Sequence, residues 1–232
     1  MKTEEIADIL AQTRLFGGSS RAALLSIASE ANQRTYPKGA VLFNEGDTGD
    51  AFYVVASGTV KVFVTSGHGT EMVMATLRAP HGFGEVALLD NGPRSASAEA
   101  LEPTTVLAFA RSTFLDLIHR DPDVADGLLR SVGWLLRRVT GQAADLVFLD
   151  LEGRVAKLLV EFANERGEER EGEIHLDLGL SQSDLAVMVG GSRQSVNQIL
   201  HALEARGYLA VDGGRTVAIL NMEGLSKRAG LP

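Results

Sequence analysis

The chain of 232 residues contains no cysteine. That absence excludes a disulfide framework, a thiolate zinc site, a cysteine-ligated iron–sulfur cluster and a cysteine nucleophile. No apolar run approaches the roughly 18 residues that a membrane-spanning helix needs. The first 30 residues are acidic and lack an apolar h-region, so no signal peptide is expected and the chain reads as cytoplasmic. Positive charge is also short: 22 Lys and Arg against 30 Asp and Glu give a net charge of −8. Taken alone, that disfavours nucleic acid. The excess is uneven, however, because Glu165, Glu168, Glu169, Glu171 and Glu173 hold much of it. Residues 174–232 balance to zero, with Arg193, Arg206, Arg215, Lys227 and Arg228 against Asp177, Asp184, Glu204, Asp212 and Glu223. The acidic total weakens non-specific DNA affinity without excluding a local contact face.

What is present is an ordinary globular mixture, 45% hydrophobic and 22% charged. Its length allows one large domain or two small ones. Residues 3–31 read as two short helices, with Ser19-Ser20 before the second. From Tyr36 to Phe109 short alternating apolar runs are punctuated by Gly39, Gly46, Gly49, Gly58, Gly67, Gly69, Gly82, Gly84 and Gly92. Many short strands with turn glycines predict a small antiparallel barrel or jelly roll. Asp121-Pro122 then opens a helix running to about Asp150, about 45 Å at 1.5 Å per residue. Its apolar positions Leu128, Val132, Leu135, Val139, Ala143, Leu146 and Leu149 form a coiled-coil-like seam, read as a homodimer contact. Glu152-Gly153 marks a hinge, followed by a helix over 154–164 and a charged loop.

Ser181-Gln-Ser-Asp184 has the form of a capping box. Ala186, Gly190, Val196 and Ile199 then follow at spacings of 4, 6 and 3, the pattern of a helix-turn-helix. Ser192 caps the second helix, whose outward face carries Arg193, Gln194, Asn197, Gln198 and His201. Arginine forks onto guanine N7/O6, and Asn or Gln pairs with adenine N6/N7. Residues 208–220 read as a hairpin with Asp212-Gly213-Gly214 at its tip and Arg215 toward a phosphate. A helix-turn-helix with such a wing is a winged helix. The alternative is an amphipathic helix pair with a merely solvated polar face.

The stretch from Phe83 to Ser97 is the second informative one. Gly84 frees backbone N–H groups, Glu85 offers an acceptor for a sugar hydroxyl, and Arg94 forks onto a phosphate diester. The order Gly-Glu, eight residues, then Arg-Ser is far more specific than either pair. With it, Tyr36-Pro-Lys-Gly39, Phe43-Asn-Glu-Gly-Asp47, Tyr53, Gly58, Phe148-Leu-Asp150, Gly153-Arg154 and residues 191–200 make the chain resemble the cyclic-AMP receptor protein/FNR superfamily of bacterial transcription regulators over nearly its whole length.

That resemblance implies an α+β fold: an antiparallel β-roll with flanking helices, a long dimerisation helix and a C-terminal winged helix-turn-helix. It implies a cyclic nucleotide-binding part at 1–150 and a DNA-binding part at 151–232. Gly84 and Glu85 fall where the family binds ribose, with Val86 in the same cassette. Arg94 and Ser95 fall where it binds the cyclic phosphate, and Val139 and Thr140 where hydroxyl residues face the base. Val139 departs from that pattern and leaves Thr140 as the polar contact. Arg193, Gln194 and Gln198 occupy base-reading positions, where two glutamines imply a shifted operator. Ser181, Ser192, Asn197 and Arg215 complete the expected DNA contacts. The implied effector is cyclic AMP, with cyclic GMP also accommodated. The implied partners are double-stranded promoter DNA, a second copy of the chain and RNA polymerase, with no membrane, no metal and no catalysis. Two other classes stand beside this one. A cupin-type metalloenzyme would use His68, His81 and Glu85 but lacks the usual His-x-His pair. A regulator that binds DNA without a nucleotide would not need the intact cassette.

Overall fold

The computed structural model describes every residue except 171, 179–181, 213–215 and 232, and residue 212 by its backbone alone. These residues form two units, 1–138 and 139–232. The first opens with α1 (Thr3–Ala11) and α2 (Arg21–Ser29), the latter capped by Ser20, whose Oγ accepts from the Ala23 N–H. The strands β1 (Asn32–Tyr36), β2 (Val41–Phe43), β3 (Ala51–Ser57), β4 (Thr59–Thr65), β5 (Glu71–Arg78) and β6 (Gly82–Phe83) follow. The short helix α3 (Val86–Leu89) precedes β7 (Ser97–Ala100), β8 (Thr104–Ala110) and α4 (Arg111–Arg120). The helix α5 (Pro122–Phe148) contributes residues to both units. Asp121 starts it, its carboxylate accepting from the Asp123 N–H at 3.0 Å.

All strand pairs are antiparallel, in two four-stranded sheets ordered β1-β8-β3-β6 and β2-β7-β4-β5. Neighbours are mostly not consecutive in the chain, as in a jelly roll. Alternation along β3 and β8 divides the core in two. Ala51, Tyr53, Val55, Val106 and Ala108 face the roll interior with Val60, Leu77 and Phe83. Phe52, Val54, Leu107 and Phe109 face the opposite way and pack with Leu10, Phe16, Ile27, Phe114, Val124 and Leu128 of the helical layer. A strand buried on both faces reads as a continuous apolar run, which is why 51–55 shows no polar alternation. The helix layer approaches closely at Gly127, where a Cβ would lie 1.9 Å from the Leu15 carbonyl oxygen. Only glycine fits that position.

The second unit continues with α6 (Leu151–Arg166), β9 (Glu168–Arg170), β10 (Glu173–Asp177), α7 (Gln182–Val189), α8 (Arg193–Ala205), β11 (Leu209–Asp212), β12 (Thr216–Ile219) and α9 (Met222–Arg228). Its sheet is ordered β11-β12-β10-β9. The α+β class, the β-roll, the long helix and the C-terminal helix-turn-helix are all present. Two local expectations are corrected, and one helix, α4, lies where the sequence reading assigned no element. The charged loop after α6 holds the β9–β10 hairpin, whose first strand is wholly exposed and so carries no apolar signal. The helix α4 had no clear signature, since Phe114 is its one fully buried side chain. The helix break falls at Leu149–Asp150, and Glu152 and Gly153 sit inside the first turn of α6.

Candidate functional site

In the first unit, Gly84 leaves β6 with φ +88°, a conformation open to glycine. A Cβ there would also lie 2.8 Å from Arg94 Nη1. The arginine is therefore placed by the glycine's lack of a side chain. Its main chain is held too: Arg94 N–H donates to the Asp47 carbonyl at 2.8 Å, and Gly46 N–H donates to the Arg94 carbonyl at 2.9 Å. The Arg94 side chain is 2% exposed. Nη1 donates to the Gly84 carbonyl at 2.9 Å and Nη2 to the Ala51 carbonyl at 2.7 Å, with Asp50 Oδ1 at 3.3 Å. The guanidinium lies 4.2 Å from the Phe43 ring centre and 5.5 Å from that of Tyr53. Its Nε is buried with no partner among the described residues. Buried polar groups normally find partners, and a phosphate diester is a strong one for a guanidinium.

Glu85 is buried beside this arginine. Burial pushes its carboxyl above the usual range, opposed by its own backbone N–H and by the Arg94 charge. Val86 is half-buried at the start of α3, and Ser95 is exposed next to Arg94. The structure thus brings Gly84, Glu85 and Arg94 together with Asp50, which sequence reasoning missed. Asp50 lies 44 positions from Arg94, and nothing local marks it as the arginine's partner. Val139 and Thr140 lie on α5 in the second unit, both exposed. That helix also exposes Leu129 (71%), Leu136 (66%), Leu146 (52%), Val147 (75%) and Phe148 (81%). Among the described residues, no group of three or more His, Asp or Glu is placed to hold a metal ion.

The second unit holds the α7–α8 helix pair. α7 ends at Gly190 (φ +67°), and Gly191 N–H donates back to the Ala186 carbonyl at 2.8 Å, closing the turn. Ser192 caps α8 by accepting from the Ser195 N–H at 3.0 Å. Val196, Leu200 and Leu203 bury the inner face of α8, and Ile199, expected there, is only half-buried. Arg193, Gln194, Gln198 and His201 are exposed and Asn197 is half-exposed, so the outward face is the one the spacing predicts. Glu204 accepts from the Val211 N–H at 3.0 Å, tying α8 to β11. Ser181 and Arg215 lie outside the described residues.

The start of α6 is pinned by ionic contacts that no short-range pattern reveals. Asp150 Oδ1 accepts from the Gly153 N–H at 2.8 Å, and Arg228 Nη2 reaches both Asp150 oxygens at 2.8 and 2.6 Å. Glu152 Oε1 accepts from Arg228 Nε at 2.6 Å and from Arg206 Nη1 at 2.5 Å. Arg154 donates from Nη1 to the Leu149 carbonyl and from Nε to the Val189 carbonyl, both at 2.8 Å. One guanidinium therefore holds the residue that follows α5 and the last residue of α7.

Residues 33–121 match the family described as "Cyclic nucleotide-binding domain", and residues 153–228 the one described as "Crp-like helix-turn-helix domain". Over 222 residues the chain is 32% identical to a CRP-like cAMP-activated global transcriptional regulator of Mycobacterium tuberculosis, spanning 96% of this chain and 99% of that one. It is 38% identical over 182 residues to a cyclic AMP receptor protein of Thermus thermophilus, 78% of this chain and 81% of that one. Among solved structures, a CooA mutant from Carboxydothermus hydrogenoformans superposes with a TM-score of 0.77 at 26% identity, covering 87% and 88% of the two chains.

Proposed function

Because the chain belongs to the CRP-like family of transcription regulators, we propose that it is a bacterial, cytoplasmic homodimer that reads palindromic promoter DNA when a cyclic nucleotide is bound. The effector is cyclic AMP, with cyclic GMP also accommodated. Residues 1–150 sense and dimerise, residues 151–232 read, and RNA polymerase is the downstream partner. The protein acts as an allosteric switch and carries out no catalysis.

The observation that carries this reading is the buried Arg94 beside Gly84 and Glu85, with an Nε that has no partner among the described residues. Arg94 takes the cyclic phosphate and Glu85 a ribose hydroxyl, with Val86 and Ser95 bordering them. Both cyclic nucleotides share those contacts, so the base must be discriminated elsewhere. Val139 offers no hydrogen bond, whereas a threonine hydroxyl donates and accepts. Thr140 accepts from adenine N6–H₂ or, rotated, donates to guanine O6. The exposed apolar residues of α5 supply the dimer contact. On DNA, Ser192, Arg193, Gln194, Asn197 and Gln198 meet the major groove, joined by Ser181 and Arg215. A two-fold dimer then spans half-sites about 34–36 Å apart. By linkage, DNA tightens nucleotide binding by the factor with which the nucleotide tightens DNA binding.

Calorimetry with both nucleotides on wild type and Thr140→Ala, with and without operator DNA, tests the scheme. Binding of both, weakened in the variant and tightened by DNA, is expected. Binding of neither removes the nucleotide and leaves a regulator that reads DNA alone.

A further inference from the structure

Arg94 has three acceptors around it, and they differ in kind. The Gly84 and Ala51 oxygens are main-chain carbonyls fixed by the roll. The third, Asp50 Oδ1, is a charged group on a side chain that is 71% exposed, touching Nη2 through one oxygen at 3.3 Å. Asp50 is held at that place by its own backbone: its carbonyl accepts from the Arg111 N–H at 2.8 Å, and the next residue, Ala51, supplies the carbonyl on the same Nη2. A buried guanidinium needs a counter-charge. Burial disfavours a charge on the neighbouring Glu85 carboxyl, and Asp50 is the carboxylate whose oxygen reaches the guanidinium, so in the ligand-free chain Asp50 supplies the counter-charge.

We propose that Asp50 is a tethered anion that competes with a ligand's phosphate for Arg94 and thereby selects a monoanionic phosphodiester over a dianionic phosphomonoester. The inference rests on the reading of Gly84, Glu85 and Arg94 as a cyclic nucleotide site. When the phosphate arrives, the carboxylate either turns away and gives up its ion pair or stays and repels the ligand. Turning away would cost every ligand the same ion pair, but the backbone of Asp50 is anchored by the Arg111 N–H and adjoins the Ala51 carbonyl on Nη2, so the charge stays near the phosphate. Where it stays, the energy grows in proportion to ligand charge. If removing the Asp50 charge raises the affinity for a monoanion by a factor f, it raises that for a dianion by about f². A solvent-exposed ion pair sets f at about threefold to fivefold. The selection follows from charge alone and needs no contact with sugar or base.

The test is displacement of a fluorescent cyclic AMP analogue at pH 8, where a phosphomonoester is fully dianionic. Wild type, Asp50→Asn, Asp50→Ser and the distant charge control Asp116→Asn are titrated with cyclic AMP and with adenosine 5′-monophosphate. Both Asp50 variants should bind cyclic AMP about threefold to fivefold more tightly and the monophosphate about tenfold to twenty-five-fold more tightly, with Asp116→Asn unchanged. Three results overturn the proposal while leaving the cyclic nucleotide reading intact: cyclic AMP bound by wild type but no more tightly by either Asp50 variant, an equal gain in Asp116→Asn, or a monophosphate that gains nothing on cyclic AMP, including one that displaces the probe from no variant. A probe that binds none of the four proteins overturns that reading and the proposal together. Melting curves matching wild type confirm that the exposed substitutions leave the fold intact.

Discussion

Replacing Glu85 with Gln should move stability and ligand affinity in opposite directions. The carboxyl is buried between β6 and α3, and desolvation outweighs the help from its backbone N–H and from Arg94. Its folded pKa therefore lies above the unfolded value of about 4.3. For an acid raised in this way the fold prefers the proton. The stabilising contribution is complete below the unfolded pKa and is lost as pH rises through the folded one. Above that raised pKa the ligand-free protein carries a poorly solvated charge, which Gln removes without changing shape. One imperfectly satisfied buried polar group costs about 1–2 kcal/mol, so the variant should melt about 3–6 °C higher at pH 8. The gain should shrink as pH is lowered toward 4. Binding should move the other way, because a neutral amide accepts from a ribose hydroxyl less strongly than a carboxylate, at about tenfold in affinity. Thermal melts from pH 4 to 8.5 and calorimetry with cyclic AMP read both effects. A variant that melts below wild type at pH 8, or gains more in acid than in base, refutes the desolvation argument.

Gly84→Ala should abolish most cyclic nucleotide binding in calorimetry, because its Cβ lies 2.8 Å from Arg94 Nη1 and its φ is +88°. The left-handed conformation adds about 1–2 kcal/mol of strain, seen as a lower melting temperature. Leu129→Glu with Leu136→Glu should leave the far-UV spectrum unchanged, since both side chains are exposed. Sedimentation should nevertheless shift from dimer to monomer as charges enter an apolar contact. Arg228→Ala removes the cation that, through its hydrogen bond, lowers the Asp150 carboxyl and also helps hold Glu152 low. Carboxyls lowered in this way add stability above their unfolded pKa and lose it as pH falls through the folded pKa. The variant should lose about 0.5–1 kcal/mol at pH 7, discounted for exposure, and converge on wild type in denaturation as pH falls through the lowered folded pKa values.

The β-roll was legible because its strands are short, apolar and separated by glycines, and α7–α8 because a capped helix pair leaves a fixed spacing. The seam on α5 was legible only in part. Leu128 and Val132 pack against the helix-side core, whereas Leu129 and Leu136 are exposed. A helix with apolar residues on two faces gives the same three- and four-residue spacings for both, so periodicity cannot assign which face stays inside its own unit. Charged partners were least legible. Arg94 and Asp50, or Arg228 and Asp150, meet through folding across 44 and 78 positions. A salt bridge has no periodicity to betray it. The Gly-Glu and Arg-Ser pairs were recoverable because only the short helix α3 and a brief loop separate them.

The strand β3 gives the first unit its stiffness. Arg94 grips the Ala51 carbonyl, and the next residue, Phe52, stacks on Phe114 of α4 with ring centres 4.7 Å apart. A single peptide unit thus separates the Arg94 charge from the aromatic layer behind the sheet. Both faces of the strand are packed: Tyr53 stacks on Phe83 in front, and Phe52 meets Phe109 and Phe114 behind. Close-packed interiors have low compressibility and transmit strain. A tug on the guanidinium therefore has no soft layer in which to dissipate, and the strand moves as a rod with the aromatic rings on both its faces.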